Sequence, residues 1–184
     1  MTGQRACIFI DGSNFYNRLK EFTSNLNNIS LLKFNYSGFC NWLCDSYNTT
    51  GLYYYIGAVK ETQDKRSKGY YLYKSQTKLF RELKDTHNFN IVIGELIMYP
   101  NGTYHEKGVD VRLAIDLIRR ARNDEYDVAY LLSSDSDLAP AVLEVLAMGK
   151  QVVYVCTKFK RAISLSKISS KTRIITESDI MNFL

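Results

Sequence analysis

The stretch "ACIFIDGSN", residues 6–14, decides the fold class because a continuous apolar run leads directly into a polar turn. A run without alternating polar residues is typical of a strand that is buried on both faces of a parallel sheet. The run ends at Asp11, and Ser13 or Asn14 can cap a helix over residues 15–22. The stretch therefore predicts a central strand followed at once by a helix.

The same succession recurs along the chain. Further apolar runs rich in β-branched and aromatic residues predict strands at 52–59, 89–98, 128–133, 151–155 and 173–176. Helical spacing of apolar residues predicts helices at 36–46, 71–86, 109–122, 138–148 and 161–168. The turn signal "PNGT" predicts a hairpin-like excursion over residues 99–106. Together these patterns predict one α/β domain over residues 1–184, with a doubly wound, mainly parallel sheet and helices on both faces.

Composition and charge narrow the class of protein. The 24 Lys and Arg residues exceed the 19 Asp and Glu residues, and the net charge of +5 mildly favours polyanionic partners. The apolar run near the N-terminus is too short for a signal peptide, and no run approaches the ~18 residues of a membrane span. The four cysteines lack disulfide or zinc spacing, so we expect reduced core thiols in a cytoplasmic protein: Cys7, Cys40, Cys44 and Cys156.

Four aspartates follow or adjoin the predicted strand ends. Asp11 comes directly after the first strand, and Asp135 and Asp137 follow the strand at 128–133 in the stretch "LLSSDSDL". Asp110 opens the helix that leads into that strand. Because ligands bind outside the carboxyl ends of the strands in such sheets, we expect these side chains to converge in one crevice.

The negative charges of clustered carboxylates must be neutralised. Two unit charges at ~4 Å repel by about 4 kcal/mol at an effective dielectric of 20, so the group holds either protons or cations. All-oxygen ligands favour Mg²⁺ or Mn²⁺, and the chain has only two histidines for a zinc site. Such ions can activate water and stabilise the leaving oxygen in phosphodiester hydrolysis.

Three motifs in order resemble the NYN domain, within the PIN-like nuclease superfamily, and are most similar to its LabA-like branch. The motifs are "FIDGSNFY" at 9–16, "KGVDVRLAIDLI" at 107–118 and "LLSSDSDLAPAV" at 131–142, followed by "GKQVVYV" at 149–155. The resemblance implies a PIN-like sheet with strand order 3-2-1-4-5. It also implies metal-dependent cleavage of RNA, as expected of a magnesium- or manganese-dependent endoribonuclease, a hydrolase of phosphodiester bonds.

The resemblance also implies roles for individual residues. The principal metal ligands would be Asp11, Asp110 and Asp135, and Asp137 would act directly or through water. Asn14 would orient the scissile phosphate or a bound water. Two hydroxyl donors would support the site: Ser13 and Ser134.

Each acidic residue also has a structural interpretation. Asp11 can simply end a strand in a turn, while Asp110 and Asp137 can complement a helix dipole. Asp116 points away from Asp110 on the same helix, so we expect a surface or supporting residue and not a metal ligand. Glu95 lies inside the third strand, where it faces the crevice or pairs with a lysine.

Basic residues at predicted loops are candidates for RNA contacts, although a charge run is often only a solvated face. One basic segment precedes Tyr70, Tyr71 and Tyr73, and cations interleaved with rings suit a single-stranded RNA. Another basic loop follows the strand at 151–155. The candidate RNA-binding residues are Lys60, Lys65, Arg66, Lys68, Lys107, Lys158, Lys160 and Arg161.

Three functions fit the sequence. A metal-dependent ribonuclease acting on single-stranded RNA is the leading hypothesis, and a catalytically idle RNA-binding or regulatory module is its rival. A metal-dependent phosphatase-like hydrolase is a third, although "DGS" lacks the second aspartate of an Asp-x-Asp nucleophile. Phosphate-binding glycine loops and acyl-transfer motifs do not occur. No membrane partner is expected, and the sequence is compatible with a homo-oligomer.

Overall fold

The computed structural model describes residues 3–24, 30–44 and 47–184. Its seven strands are β1 (Arg5–Asp11), β2 (Asn48–Ala58), β3 (Asn90–Met98), β4 (Tyr104–Lys107), β5 (Val128–Leu132), β6 (Gln151–Thr157) and β7 (Lys171–Ile175). The α-helices are α1 (Gly12–Phe22), α2 (Tyr36–Leu43), α3 (Lys68–Arg81), α4 (Val109–Arg122), α5 (Ala139–Ala147), α6 (Ile163–Ile168) and α7 (Glu177–Met181). Short helical turns lie at Leu31–Lys33, Glu82–Thr86 and Ser136–Leu138.

The seven strands form one sheet in the order β4-β3-β2-β1-β5-β6-β7. Neighbouring strands are parallel except for β3 and β4, which are antiparallel. The predicted order 3-2-1-4-5 is confirmed for the inner strands, because the predicted fourth and fifth strands are β5 and β6. The difference lies at the edges, where the hairpin adds β4 and the last predicted strand adds β7.

The central strand β1 separates two hydrophobic cores. Ile8 and Ile10 belong to the core covered by α1 and α2, whereas Cys7 and Phe9 belong to the core covered by α4 and α5. Both faces of β1 are therefore buried, which explains its uninterrupted apolar sequence. The same alternation places the two rings of Tyr54 and Tyr55 in opposite cores.

Several element boundaries differ from the predicted ones. The helix predicted over 71–86 already begins at Lys68, because the Ser67 side chain accepts a hydrogen bond from the backbone and caps it. It then continues as a wider helical turn. The second predicted helix ends at Leu43, and the prediction for residues 45–46 lies outside the described residues. The terminal helix α7 was not predicted.

The hairpin predicted around "PNGT" is confirmed. The Tyr99 backbone N–H donates to the Thr103 carbonyl over 2.8 Å, and the chain then returns along β3 as β4. The prediction of buried, free cysteine thiols is also confirmed. Within the described ranges, no helix has the length and apolarity to cross a membrane.

Candidate active site

Asp11 is the last residue of β1 and the N-cap of α1. Its Oδ1 accepts the Asn14 backbone N–H over 3.0 Å, so Asp11 itself caps the helix in place of the predicted Ser13 or Asn14. Its Oδ2 accepts the Asn14 side-chain amide over 2.5 Å and the Ser133 hydroxyl over 3.1 Å. The residue is only 9% exposed, and these three donors fix the orientation of its carboxylate.

Gly12 explains why a glycine follows this aspartate. A Cβ atom at this position would lie 2.3 Å from the Tyr54 ring and 2.8 Å from the Tyr55 carbonyl oxygen. The backbone therefore passes against β2 more closely than any side chain permits. This close approach holds the beginning of α1, and with it Asp11, against the sheet.

The carboxyl ends of β1 and β5 are joined through the residues after β5. Ser133 donates to Asp11 and accepts the Asp135 backbone N–H over 3.1 Å, while the Ser134 hydroxyl donates to the Asn14 side-chain oxygen. Because β1 and β5 are neighbours, the predicted convergence of these two strand ends is present in the structure. Ser133 was not predicted, since the sequence pattern assigned it only to the end of a strand.

Asp135 and Asp137 differ in position. The Asp135 Oδ1 accepts the Asp137 backbone N–H over 2.9 Å and thereby caps the helical turn Ser136–Leu138. Asp135 is partly buried beside the Asp11 network, whereas Asp137 is exposed. The cap and the candidate ligand are thus the same residue, Asp135.

The electrostatics of Asp11 are unfavourable for a bare carboxylate. Burial raises its pKa above the usual aspartate value, and the nearby charge of Asp135 raises it further. The hydrogen bonds from Asn14 and Ser133 oppose this shift. A cation beside Asp11 would reverse the penalty, because opposite charge favours the ionised form.

Glu106 is a further carboxylate of the site that the sequence did not reveal. It lies on β4, where its Oε1 accepts the Gly57 backbone N–H and its carboxylate also accepts a hydrogen bond from Ser13. Burial raises its pKa, and the charges of Asp11 and Asp110 add to that effect. The one available signal was its position directly before "KGVD", where the hairpin returns the chain to the sheet.

Asp110 lies in the first turn of α4, as predicted, and is exposed. The hairpin formed by β3 and β4 delivers the start of α4 to the carboxyl edge of β2, since Lys107 pairs with Glu95 and Glu95 pairs with Ala58. The charges of Asp11 and Asp110 both contribute to the raised pKa of Glu106, so both carboxylates lie within electrostatic reach of it.

Asp116 is not part of this group. It is buried and accepts hydrogen bonds from the Tyr55 hydroxyl, over 3.1 Å, and from Arg119. The alternative of a surface position is therefore wrong, because its helix face packs against β2, and its role is to satisfy a buried tyrosine. Glu95 is exposed and pairs in register with Lys107.

The oxygen donors of this edge fit a hydrated divalent cation better than one held by protein ligands alone. Across the described residues, no three His, Cys, Asp or Glu side chains form a group that could hold a metal ion by themselves. Mg²⁺, however, usually retains several waters and binds through one or two carboxylates together with substrate phosphates. Oxygen-only donors, a buried Asp11 and uncompensated neighbouring carboxylates fit a hydrated ion of this kind.

The predicted RNA-binding residues are exposed and lie mostly in two loops of the carboxyl edge. The first loop, after β2, contains Lys60, Lys65 and Arg66, and Lys68 then begins α3. The second loop, after β6, contains Lys158, Lys160 and Arg161, while Lys107 ends β4. Because β2 and β6 lie on opposite sides of the two strands that carry Asp11 and Asp135, the two loops flank the candidate site.

The fold and this edge define a doubly wound α/β protein with a carboxylate site at the carboxyl ends of its central strands. The model of the NYN domain matches residues 5–176, so the chain belongs to the NYN domain family, within the PIN-like nuclease superfamily. Members of this family are generally nucleases that act on RNA. Assignment to the LabA-like branch stays a prediction.

One solved structure with this fold is that of a protein of unknown function from Vibrio parahaemolyticus RIMD 2210633. It aligns with a TM-score of 0.67 at 16% sequence identity, over 95% of this chain and 94% of that chain. At this identity the similarity concerns the fold alone. No curated protein matches the chain.

Proposed function

We propose that this protein is a Mg²⁺- or Mn²⁺-dependent ribonuclease that hydrolyses phosphodiester bonds of RNA at the carboxyl edge of β1 and β5. The observation that carries the proposal is the network in which Ser133 links Asp11 to Asp135 and Asn14 links Asp11 to Ser134. It ties the Asp11 carboxylate to the backbone of Asp135, at the ends of two adjacent strands, without any cationic partner in the network. Such an arrangement serves a function that a simple turn does not require.

The carboxylates contribute to cation binding in different ways. Asp11 and Asp135 are the inner ligands, because hydrogen bonds orient the carboxylate of each, and Asp110 completes the set from α4. Asp137, exposed on the adjoining turn, acts through a bound water. When present, the metal supplies charge stabilisation and a nucleophilic water at neutral pH.

Asn14 acts mainly through Asp11. One N–H of its amide is donated to Asp11 and its oxygen accepts the Ser134 hydroxyl, which leaves the second N–H available for a phosphate oxygen or a water. Ser13 plays the corresponding part for Glu106. Glu106 then adds negative charge next to Asp110 and positions a proton-accepting oxygen at the same edge.

The basic loops on either side supply the contacts to the RNA backbone. Neutralised phosphates contribute most of the sequence-independent affinity for nucleic acid, so these loops bind RNA without selecting a sequence. Single-stranded RNA fits best, because the loop after β2 leads into a helix that carries the exposed ring of Tyr71. The cation–π contact of Lys68 with Tyr104, 5.8 Å from the ring centroid, lies at this end of the site.

The test is cleavage of a labelled single-stranded RNA with Mn²⁺, followed on denaturing gels. We expect Asp11→Asn and Asp135→Asn each to reduce cleavage by about 1000-fold, whereas Asp85→Asn, at an exposed aspartate after α3, serves as the matched control and retains it. Cleavage of a circular RNA would identify an endonuclease. Equal cleavage by all three variants would contradict the proposal.

A second candidate function is RNA binding without catalysis. It is favoured by one observation, namely that the described residues contain no ready-made group of three metal-ligating side chains. Binding of RNA without cleavage in Mg²⁺, Mn²⁺ or Ca²⁺ would establish it. Hydrolysis of a small phosphate ester by a protein that leaves RNA intact would instead indicate the phosphatase-like alternative.

A further inference from the structure

The loop after β6 contains the most exposed aromatic side chain among those described. Phe159 is 90% exposed and stands between the exposed cations Lys158 and Lys160. The ends of the loop are fixed, since Thr157 is buried and the Ala162 backbone N–H donates to the Tyr154 hydroxyl over 2.9 Å. The ring is thus presented from an anchored loop at the carboxyl edge of the sheet.

A small crevice connects this loop with the candidate active site. Its lining includes Arg18, Lys160, Asn14 and Ser134. The Arg18 side chain is only 16% exposed, and its buried Nε has no hydrogen-bond partner in the part of the chain that the structure describes. Cationic and hydroxyl donors therefore line a space next to the residues that orient Asp11.

Glu21 holds these two cations together. It pairs with the Arg18 guanidinium, and its Oε1 lies 3.5 Å from the Lys160 Nζ. The Glu21 side chain is 54% exposed, so it can turn into solvent and leave both cations to another anion. A phosphate group is the anion that a guanidinium and an ammonium bind most readily in place of a carboxylate.

We propose that Arg18, Lys160 and Phe159 form a subsite for one unpaired nucleotide of the substrate. Arg18 and Lys160 hold its phosphate, and Phe159 stacks on its base. The inference rests on the proposed function, since it makes single-stranded RNA the substrate class of the same site. A paired base cannot reach the ring without leaving its stack, so the subsite selects unpaired segments.

Binding is measured by fluorescence anisotropy of a labelled single-stranded oligoribonucleotide in EDTA, so that the metal-dependent reaction does not occur. We expect Phe159→Ala to weaken binding by about 5- to 150-fold, the range of one base stacked on an aromatic ring, and Phe159→Trp to retain it. Leu143→Ala, at a 52% exposed apolar side chain on α5, is the control and leaves binding unchanged.

A series of oligonucleotides with a single abasic site tests stacking directly. In the wild-type protein one abasic position should weaken binding as much as Phe159→Ala does, and the two changes together should cost no more than either alone. An abasic effect that persists undiminished in Phe159→Ala would overturn the subsite, as would binding of intact RNA by Phe159→Ala with wild-type affinity.

The phosphate contact is tested through the salt dependence of binding. Lys160→Gln and Arg18→Gln should each lower the slope of log K against log [salt] by about 0.7, as expected for one phosphate contact to a single strand. Glu21→Gln should tighten binding because it releases both cations. Lys171→Gln, at the exposed first residue of β7, is the control. Unchanged slopes for Lys160→Gln and Arg18→Gln would contradict the phosphate site.

Parallel cleavage assays with Mn²⁺ separate this inference from the proposed function. If Phe159→Ala, Arg18→Gln and Lys160→Gln alter neither RNA cleavage nor RNA binding, the subsite is overturned. The proposed ribonuclease activity is then unaffected. A position-specific abasic effect in a wild-type protein that never cleaves RNA supports the subsite and overturns the ribonuclease.

Discussion

The carboxylates near the two ends of β1 differ in whether they have cationic partners. At the amino end, Arg5 donates to both oxygens of Asp127 and also pairs with Asp124, which Lys150 contacts as well. These cationic partners lower the pKa of Asp127 and of Asp124. At the carboxyl end, burial raises the pKa of Asp11, and no cation takes part in its hydrogen-bond network.

The presence or absence of cationic partners separates the structural carboxylates of this fold from the candidate functional ones. Ion pairs at the amino edge satisfy each acidic residue with the protein's own cations, so they need nothing from outside. The carboxyl edge gathers Asp11, Asp135, Asp110 and Glu106 without such compensation. A group of acidic side chains whose mutual repulsion destabilises the folded protein is typical of a site that binds a cation.

The largest expected effect is the difference in RNA cleavage between an aspartate substitution at the carboxyl edge and one at the amino edge. Asp135→Asn should reduce RNA cleavage by about 1000-fold, because a metal ligand contributes several kcal/mol to the transition state. Asp127→Asn should leave cleavage intact and lower Tm by about 2 °C, since partly exposed ion pairs contribute little. Cleavage assays and thermal melts of both variants measure these effects. Loss of cleavage in Asp127→Asn but not in Asp135→Asn would contradict the assignment of the site to the carboxyl edge.

A smaller loss of RNA cleavage is expected when the Glu106 side chain is moved by a substitution at a neighbouring residue. Gly57→Ala places a Cβ 2.5 Å from the Glu106 Cγ, so the carboxylate must move away from Gly57. We expect cleavage to fall by up to about 100-fold, as for a catalytic group displaced by about 1 Å. Gly3→Ala, which meets no atom within 4 Å, is the control in the same assay. Full activity of Gly57→Ala would remove Glu106 from the site.

Gly12→Ala tests the close approach that holds α1 against the sheet. The added Cβ would collide with the Tyr54 ring and the Tyr55 carbonyl, and we expect the free energy of unfolding to fall by about 1–3 kcal/mol. Urea titration followed by circular dichroism measures the change. A stability equal to that of wild type would mean that β2 yields easily, and that Asp11 is less rigidly held than the hydrogen bonds indicate.

The smallest effect is a pH dependence of opposite sign at the two edges. The lowered pKa of Asp127 stabilises the fold above the usual carboxyl value of about 3.9, and this contribution is lost as the pH falls further. The raised pKa of Asp11 means that its ionised form destabilises the metal-free fold, and that penalty is relieved as the pH falls through its pKa.

Thermal melts of the metal-free protein between neutral and acidic pH measure both contributions. Relative to Asp11→Asn, the wild type should gain stability on acidification, whereas relative to Asp127→Asn it should lose stability below about pH 3.9. Parallel curves for wild type and Asp11→Asn would show that Asp11 has no raised pKa.

The sequence predicted the central features because they depend on local patterns. The apolar run of β1, the aspartate at its end and the paired aspartates after β5 each carry their own signal, and the parallel topology brings them together. Glu106 could not be predicted, because β4 is a short edge strand without an apolar pattern and its contact with Gly57 depends on tertiary pairing. The cap by Asp11 was missed because Ser13 and Asn14 are equally good capping residues.

The central claim is that the carboxyl edge holds a divalent cation, and anomalous diffraction from crystals soaked in MnCl₂ tests it most directly. We expect an anomalous peak within ligand distance of Asp11 or Asp135, and loss of that peak in Asp135→Asn. Absence of a peak beside Asp11, Asp110 and Asp135 at saturating Mn²⁺ would contradict it.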